Sequence, residues 1–146
     1  DLHSDGAADA LAARLAPSDT FVVISAEAPC KDAAMLGRNI RMMRSVTDAL
    51  AKVQPEHVIY VSSDAVYADS MEPLNEVSCA EAGSLHGVMH LSRELMLKDA
   101  VQGQLAILRR SAQRVRPQPL PPSCCRRGGH RPVRRGRGAP RPRGRA

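Results

Sequence analysis

Residues 57 to 63 read His57-Val58-Ile59-Tyr60-Val61-Ser62-Ser63, an apolar run rich in β-branched residues that ends in hydroxyl side chains. Such a run is typical of a strand inside a parallel sheet, buried on both faces. Phe21 to Ala26 has the same character, and a shorter apolar run spans Leu105 to Leu108. The segments between these runs are long enough for helical crossovers, which join parallel strands. The sequence therefore predicts an α/β fold with a parallel sheet flanked by helices.

Three helices are predicted around these strands. Apolar residues recur at steps of three and four after the first strand, which predicts one apolar stripe on a helix: Leu36, Ile40, Met43, Val46, Leu50 and Val53. Pro55 ends this helix. A second helix is predicted from Leu85 to Ala100, and a short one from Ala8 to Ala16.

The charge of the chain is divided between two regions. The 146 residues carry a formal net charge of +6, but residues 113 to 146 contain 11 Arg and no Lys, Asp or Glu. The first 112 residues hold 10 basic and 15 acidic side chains, a net of −5. The basic pI therefore does not by itself indicate a nucleic-acid-binding domain. We predict one domain over residues 1–109 and a disordered basic tail, rich in Arg, Pro and Gly, over residues 110–146.

The tail has two interpretations. A disordered cationic arm would bind nucleic-acid phosphates without sequence preference and with strong salt dependence. Alternatively, the collapse to Arg, Pro, Gly, Ala, Ser and Cys is what a GC-rich gene yields when it is read out of frame. We favour the frameshift, so nucleic acid is an expected partner only if the tail is genuine.

Cysteine usage and hydropathy indicate a cytoplasmic protein. Cys30 and Cys79 are single and Cys124 and Cys125 are adjacent, which gives neither a disulfide framework nor zinc-site spacing. The N-terminus shows no signal-peptide pattern, and no apolar run approaches the roughly 20 residues that span a bilayer. We expect no membrane partner and no metal site.

The ends of two predicted strands are the candidate ligand sites, because ligands of open parallel sheets bind at the carboxyl ends of the strands. The first strand ends in the small residues Ser25 and Ala26. The second ends in Ser62, Ser63 and Asp64, two hydroxyls followed by a carboxylate. The simpler interpretation of Ser-Ser-Asp after a strand is a turn or a helix cap.

The segment from Val58 to Tyr67 resembles the "VYVSSxxVYG" strand and loop of the extended short-chain dehydrogenases/reductases, the NAD-dependent epimerase/dehydratase family. Further segments resemble that family in order and spacing. They are the strand end Phe21–Ala26, the "NV" pair at Asn39-Ile40, the "PxxE"-like loop Pro73–Glu76, the "YGxxK" segment at Ser84–His90 with Glu94 beyond it, the "ILR" strand Leu105–Arg109 and a "GD[LIV]" remnant at Asp1-Leu2.

The resemblance implies a Rossmann-type domain that binds NAD or NADP. It implies catalytic roles for Ser63, Asp64, His86 and His90. It implies cofactor-binding roles for Asp1, Leu2, Ser25, Ala26, Asn39, Ser62, His86 and His90. The implied activity is NAD(P)-dependent oxidoreduction or epimerisation of a small molecule, a sugar nucleotide or a similar hydroxyl substrate, with the parent protein expected to form a homodimer.

The chain departs from the family pattern in two ways. It lacks the Gly-rich phosphate loop, so the fold is expected to be incomplete at its N-terminus and this fragment inactive alone. His86 and His90 stand where the family has its catalytic tyrosine and lysine. Histidine is competent in proton transfer near neutral pH, but His90 cannot supply the permanent cation of a lysine. Ala65 lacks the second acid of the dehydratases, which disfavours dehydration.

Two other functions compete for the same residues. A relative that binds a nucleotide without turnover would keep the fold and lose the catalytic pair. His86, His90 and Glu94 also share one helix face, and histidines at positions i and i+4 can ligate zinc. The acid that accompanies zinc-protease histidines would fall at Gly87, which disfavours the metal.

Overall fold

A computed structural model describes residues 1 to 110, in which parallel strands form one sheet in the order β1–β2–β3. The strands are β1 (Thr20–Val23), β2 (His57–Ser63) and β3 (Gln104–Arg110), and the helices are α1 (Ala7–Ala12), α2 (Ala33–Leu50) and α3 (Leu85–Ala100). A 3-10 turn, Asp64–Val66, follows β2 directly. This architecture confirms the predicted α/β class and its Rossmann-type parallel sheet.

The register brings the carboxyl ends of β2 and β3 to the same edge of the sheet. His57 pairs with Gln104 at the start of the two strands, and Ser63 pairs with Arg110 at their end. β1 is shorter, because its pairing ends where Val23 lies opposite Tyr60. The loops that follow β1 and β2 therefore open at one edge of the sheet, where a ligand of such a sheet binds.

The first strand ends earlier than predicted. The expected run from Phe21 to Ala26 was three residues too long at its end, so Ser25 and Ala26 lie in the loop beyond β1. The side chain of Asn39 in α2 forms two hydrogen bonds with the backbone of this loop. Its Oδ1 accepts from the Glu27 amide and its Nδ2 donates to the Glu27 carbonyl, both at 3.0 Å. These bonds hold the backbone of the loop that follows β1.

Side-chain caps set where the two long helices begin. The Asp32 carboxylate accepts a hydrogen bond from the Met35 amide at 2.8 Å, and α2 begins at the next residue, Ala33. Ser84 caps α3 in the same way, accepting from the Gly87 amide at 3.1 Å. Both caps satisfy amides that the first turn of a helix leaves without an internal partner.

The core lies on one face of the sheet. Val58 and Tyr60 of β2 point into it and pack with side chains of α2, α3 and β1: Met43, Val46, Leu50, Leu97 and Val23. The other face is open within residues 1–110, where Val22 is 45% exposed and Leu108 is 55% exposed. The prediction of strands buried on both faces is therefore wrong for this part of the chain, because the described helices cover only one side.

The predicted boundary at residue 109 falls inside a strand, since β3 continues to Arg110. Residues 111–146, which carry the rest of the predicted tail with its expected disorder and nucleic-acid binding, lie outside the described residues. Within residues 1–110 no helix is long and apolar enough to cross a membrane.

Gly87 allows α3 to lie directly against the 3-10 turn. A Cβ built at this position would lie 2.0 Å from the carbonyl oxygen of Ala65 and 2.9 Å from the Cβ of Ala82. The nearest obstacle is backbone, which cannot move aside as a flexible side chain could. Only glycine therefore permits this contact between the start of α3 and the end of β2.

We expect Gly87→Ala to lower the free energy of unfolding by about 1–3 kcal/mol, because α3 must move away from Ala65. The matched control is Gly37→Ala in α2, where an added Cβ meets no atom within 4 Å. There the better helix propensity of alanine is expected to raise stability by about 1 kcal/mol. Urea denaturation of both variants checks this, and equal gains at the two positions would contradict the close packing.

Candidate functional site

A cavity of about 370 Å³ opens at the carboxyl end of β2. Ser63 and Asp64 line it from the strand end and the 3-10 turn, and His86 lines it from the first turn of α3. The structure thus brings together three of the residues predicted to be catalytic. Their side chains offer a hydroxyl, a carboxylate and an imidazole to one small volume.

Ser63 serves the local fold as well as lining the cavity. Its Oγ accepts a hydrogen bond from the Ala65 amide at 3.2 Å, which caps the 3-10 turn. The same hydroxyl donates to Oδ1 of Asp64 at 3.2 Å. Both interpretations of the Ser-Ser-Asp motif therefore apply to one residue: a turn cap, and a hydroxyl exposed to the cavity.

His86 is partly exposed and touches two other groups. Its Nδ1 accepts a long hydrogen bond, at 3.4 Å, from the Cys30 amide. Its ring meets the ring of His90 edge-on, with 4.8 Å between centroids and an interplanar angle of 85°. The imidazole is therefore held in place at the wall of the cavity.

His90 lies deeper and does not line this cavity. Its side chain is 6% exposed, and Nδ1 is 2.9 Å from the hydroxyl of Tyr60. Burial, together with the charges of His86 and Arg93, lowers the pKa of His90 to about 4. The ring is neutral at pH 7, so it supplies no cation to the site.

Glu94 organises the polar groups under the site. Its carboxylate is completely buried and accepts from the Ser62 hydroxyl at 2.6 Å, and from Nε and Nη2 of Arg109 at 3.0 and 2.6 Å. Burial alone would raise the pKa of Glu94, but the hydrogen bonds from Arg109 and Ser62 outweigh it and lower that pKa. The carboxylate is therefore ionised and links α3 to β2 and β3.

Other residues predicted to bind cofactor have structural partners that the sequence did not show. Asn39 is completely buried and holds the loop after β1. The Leu2 carbonyl accepts from the Ser45 hydroxyl of α2 at 2.8 Å, and the Asp1 carboxylate accepts from the His3 amide at 2.9 Å. Ser62 is committed to Glu94. The cofactor roles of these residues, and those of Ser25 and Ala26 in the loop after β1, stay predictions.

The described chain contains no cluster of three or more His, Cys, Asp or Glu side chains that could hold a metal ion. The alternative zinc set of His86, His90 and Glu94 is not assembled. Both Glu94 oxygens are bonded to Ser62 and Arg109, and Nδ1 of His90 faces Tyr60.

Sequence reasoning missed Arg93 and Tyr60. Arg93 is completely buried, and its Cζ lies 5.4 Å from the centre of the Tyr60 ring. A sequence signal existed, because Arg93 is three residues beyond His90 and therefore on the same face of the helix. Tyr60 gave no signal, since an aromatic residue in a buried strand is ordinarily a core side chain.

Comparison with known proteins relates the chain to one family. The sequence profile of the NAD dependent epimerase/dehydratase family matches residues 8–111. A search of curated proteins found no significant match.

Solved structures share the fold. A protein from Burkholderia cenocepacia J2315, itself assigned only provisionally as an epimerase, is 25% identical with a TM-score of 0.59, over 75% of this chain and 36% of that one. UDP-N-acetylglucosamine 4-epimerase from Bacillus cereus is 21% identical with a TM-score of 0.62. The match covers 73% of this chain and 40% of the epimerase. A short-chain dehydrogenase/reductase superfamily protein from Agrobacterium tumefaciens with bound NAD is 21% identical with a TM-score of 0.56. That match covers 75% of this chain and 35% of the other protein. This chain thus spans well under half the length of each.

We expect Arg109→Leu to lower the free energy of unfolding by about 3–5 kcal/mol, because it leaves the buried Glu94 carboxylate without its cation. The matched control is Arg44→Leu, which breaks the exposed ion pair of Arg44 with Asp48 on α2. That change is expected to cost about 1 kcal/mol or less. Urea denaturation at pH 7 measures both, and equal losses would show that the buried pair is no stronger than a surface pair.

The low pKa of His90 predicts a pH dependence of stability. Between pH 6.5 and 4 the unfolded chain binds a proton at His90 that the folded chain does not, so stability falls as the pH is lowered, by about 3 kcal/mol for a shift of this size. His90→Gln keeps a polar partner for Tyr60 and removes the titration. The variant should therefore lose less stability than wild type over this interval, and parallel curves would contradict the assignment.

Proposed function

This chain belongs to the NAD dependent epimerase/dehydratase family, and from that membership we propose that it carries the proton-transfer residues of an NAD(P)-dependent oxidoreductase or epimerase. The observation that carries the proposal is the cavity at the carboxyl end of β2, which Ser63, Asp64 and His86 line together. A hydroxyl and an imidazole at one cavity can hold a substrate oxygen and move its proton, which is the part of alcohol-to-carbonyl conversion that side chains perform.

His86 is proposed as the general acid/base. In the oxidising direction, the proton of the substrate hydroxyl passes to the imidazole, and in the reducing direction the imidazolium returns it. An imidazole is suited to this exchange because its ordinary pKa lies near neutrality. The ring is placed for this exchange, because it lines the cavity from the first turn of α3.

Ser63 is proposed to hold the reacting oxygen. Its hydroxyl donates to Oδ1 of Asp64 in the absence of a ligand, and the same donor can turn to a substrate oxygen in the cavity. A hydrogen bond to that oxygen stabilises the negative charge that develops on it. Asp64 accepts the hydroxyl proton of Ser63 at the cavity wall until this donor turns to the substrate oxygen.

The residues present fit a nicotinamide cofactor in part. Ser25 is exposed beyond the end of β1 and Ala26 is small, so the backbone there is open to a ligand at the same edge as the cavity. His90 does not fit a role in holding the ribose, because its ring is buried and bonded to Tyr60. Hydride transfer is the chemistry that such a cofactor, NAD or NADP, supplies when bound.

The proposed substrate is a small molecule with a secondary hydroxyl, of which a sugar nucleotide is the leading case. The cavity wall supports this, since hydroxyls and carboxylates lie close together in it: Ser63, Asp64, Asp69, Ser70 and Ser84. Such groups form hydrogen bonds with the hydroxyls of a sugar. The similar fold of the Bacillus cereus UDP-N-acetylglucosamine 4-epimerase agrees with this substrate class.

A second candidate is a relative that binds a nucleotide without turnover. The observation in its favour is His90, whose neutral and buried ring leaves the site without the cation that the family pattern has at this position. In that case the fold and the cofactor-binding edge of the sheet at Ser25 and Ala26 would persist. The cavity lined by His86 would then have no catalytic use.

Kinetic assays of the full-length protein that contains these residues separate the two candidates. His86→Ala and Ser63→Ala are each expected to lower kcat by about 10²–10⁴-fold, the contribution of a positioned proton-transfer group. His57→Ala is the matched control, because His57 begins β2 at the opposite end from the cavity, and Ser63→Thr retains the hydroxyl. Both controls are expected to stay within a few fold of wild type.

Full activity in both alanine variants would refute the site assignment. Binding of NADH by calorimetry, with no turnover of any sugar nucleotide or simple alcohol, would support the silent relative instead. These outcomes are distinct, because the first requires an active wild-type protein and the second an inactive one.

A further inference from the structure

A second cavity lies on the β3 side of the cavity that His86 lines. The smaller cavity, which His86 lines, has a volume of about 370 Å³, and the larger one has a volume of about 750 Å³ and extends along β3. Among the described residues, Tyr67 and Leu74 line both cavities. Their side chains therefore form a wall that the two cavities share.

The two cavities differ in chemistry. Besides His86, the smaller cavity is lined by hydroxyl and carboxylate side chains: Ser63, Asp64, Asp69, Ser70 and Ser84. The larger cavity is lined mainly by aliphatic side chains: Val61, Leu74, Leu105, Ile107 and Leu108. The larger cavity therefore favours an apolar group, and the smaller one favours a group rich in hydroxyls.

Tyr67 is held both at its backbone and at its ring. Its amide donates to the Asp64 carbonyl at 3.0 Å, and the amide of the next residue, Ala68, donates to the Cys79 carbonyl at 3.0 Å. The guanidinium of Arg109 lies over the ring, with Cζ 5.0 Å from the ring centre. A cation at this distance is attracted to the face of an aromatic ring. These contacts restrain the ring in the wall.

Arg109 is itself restrained by the helix that carries His86. The buried carboxylate of Glu94 in α3 accepts from Nε and Nη2 of Arg109 at 3.0 and 2.6 Å. The successive contacts of Glu94 with Arg109 and of Arg109 with Tyr67 therefore set the position of the wall relative to α3.

We propose that Tyr67, together with Leu74, is a specificity-determining residue that closes the smaller cavity on the side of β3. The proposal rests on the proposed function, which assigns the smaller cavity to a hydroxyl-bearing substrate. The wall narrows that substrate class, because the unit held between Ser63 and His86 carries no bulky apolar group directed toward β3. With a small residue in place of Tyr67, the two cavities become continuous.

The test is calorimetric binding of three β-D-glucosides to the full-length protein, in which the group attached to the sugar is methyl, phenyl or 4-biphenylyl. The sugar is the same in all three, so differences in Kd report on the attached group. Tyr67→Ala is expected to bind 4-biphenylyl glucoside at least about tenfold more tightly than wild type does, the gain when an aromatic ring leaves water for an apolar cavity. The Kd of methyl glucoside is expected to stay within a few fold of wild type.

The biphenyl group separates the larger cavity from the space that the Tyr67 ring vacates. Its second ring exceeds that space, so a gain for phenyl glucoside alone would overturn the proposal. In Tyr67→Ala, 4-biphenylyl glucoside is also expected to shift the ring resonances of His86 in NMR spectra. A gain in affinity without such a shift would place the probe elsewhere and would also overturn it.

Three further variants serve as controls. Tyr67→Phe keeps the ring and is expected to bind all three glucosides as wild type does. Met71→Ala changes an exposed apolar residue of the same loop that lines neither cavity, and is expected to do the same. Leu74→Ala opens the wall while the contact of Tyr67 with Arg109 remains, and is expected to gain affinity for 4-biphenylyl glucoside. It keeps the proposal falsifiable if Tyr67→Ala does not fold.

The proposal is overturned if neither wall variant binds 4-biphenylyl glucoside more tightly than wild type does, or if Met71→Ala shows an equal gain. The binding measurement needs no turnover. An inactive wild-type protein therefore counts against the proposed function alone. An active one with the same three Kd values in wild type and both wall variants counts against the role of Tyr67 alone.

Discussion

The carboxylate of Glu94 is the contact on which the geometry of the site depends. It is completely buried and joins α3 to the end of β2 through Ser62 and to β3 through Arg109. His86 lies on the same helix about two turns earlier, so the seating of Glu94 fixes how far His86 projects into the cavity. Gly87 completes the arrangement, because only a residue without a side chain lets the start of α3 reach Ala65.

Much of the fold follows from local sequence patterns. The apolar run of β2 and the three-and-four spacing in α2 are properties of neighbouring residues. The sequence therefore predicts both elements to within a few residues of their observed bounds. The end of β1 was not predictable in this way. The loop beyond it is held by Asn39, twelve residues from Glu27 along the chain, and such a contact is not visible in the sequence of the strand itself. Nor does a β-branched run reveal which of its faces a helix covers.

The position of the site was predictable from the sequence, but the burial of its residues was not. The rule that ligands bind at the carboxyl ends of parallel strands led from Ser63 and Asp64 to the cavity, and the family resemblance added His86. The spacing of His86 and His90 places them on one helix face but does not determine their depth. Packing against Tyr60 buries the second ring and makes it neutral.

The central claim is that the cavity at the end of β2 is where a ligand meets His86. The most direct measurement is a titration of NADH into the isotope-labelled full-length protein, with the histidine ring resonances followed by NMR. This account predicts that the His86 resonances shift along the binding curve while those of His57, at the opposite end of β2, stay in place. Saturable binding that leaves the His86 resonances unmoved would contradict it.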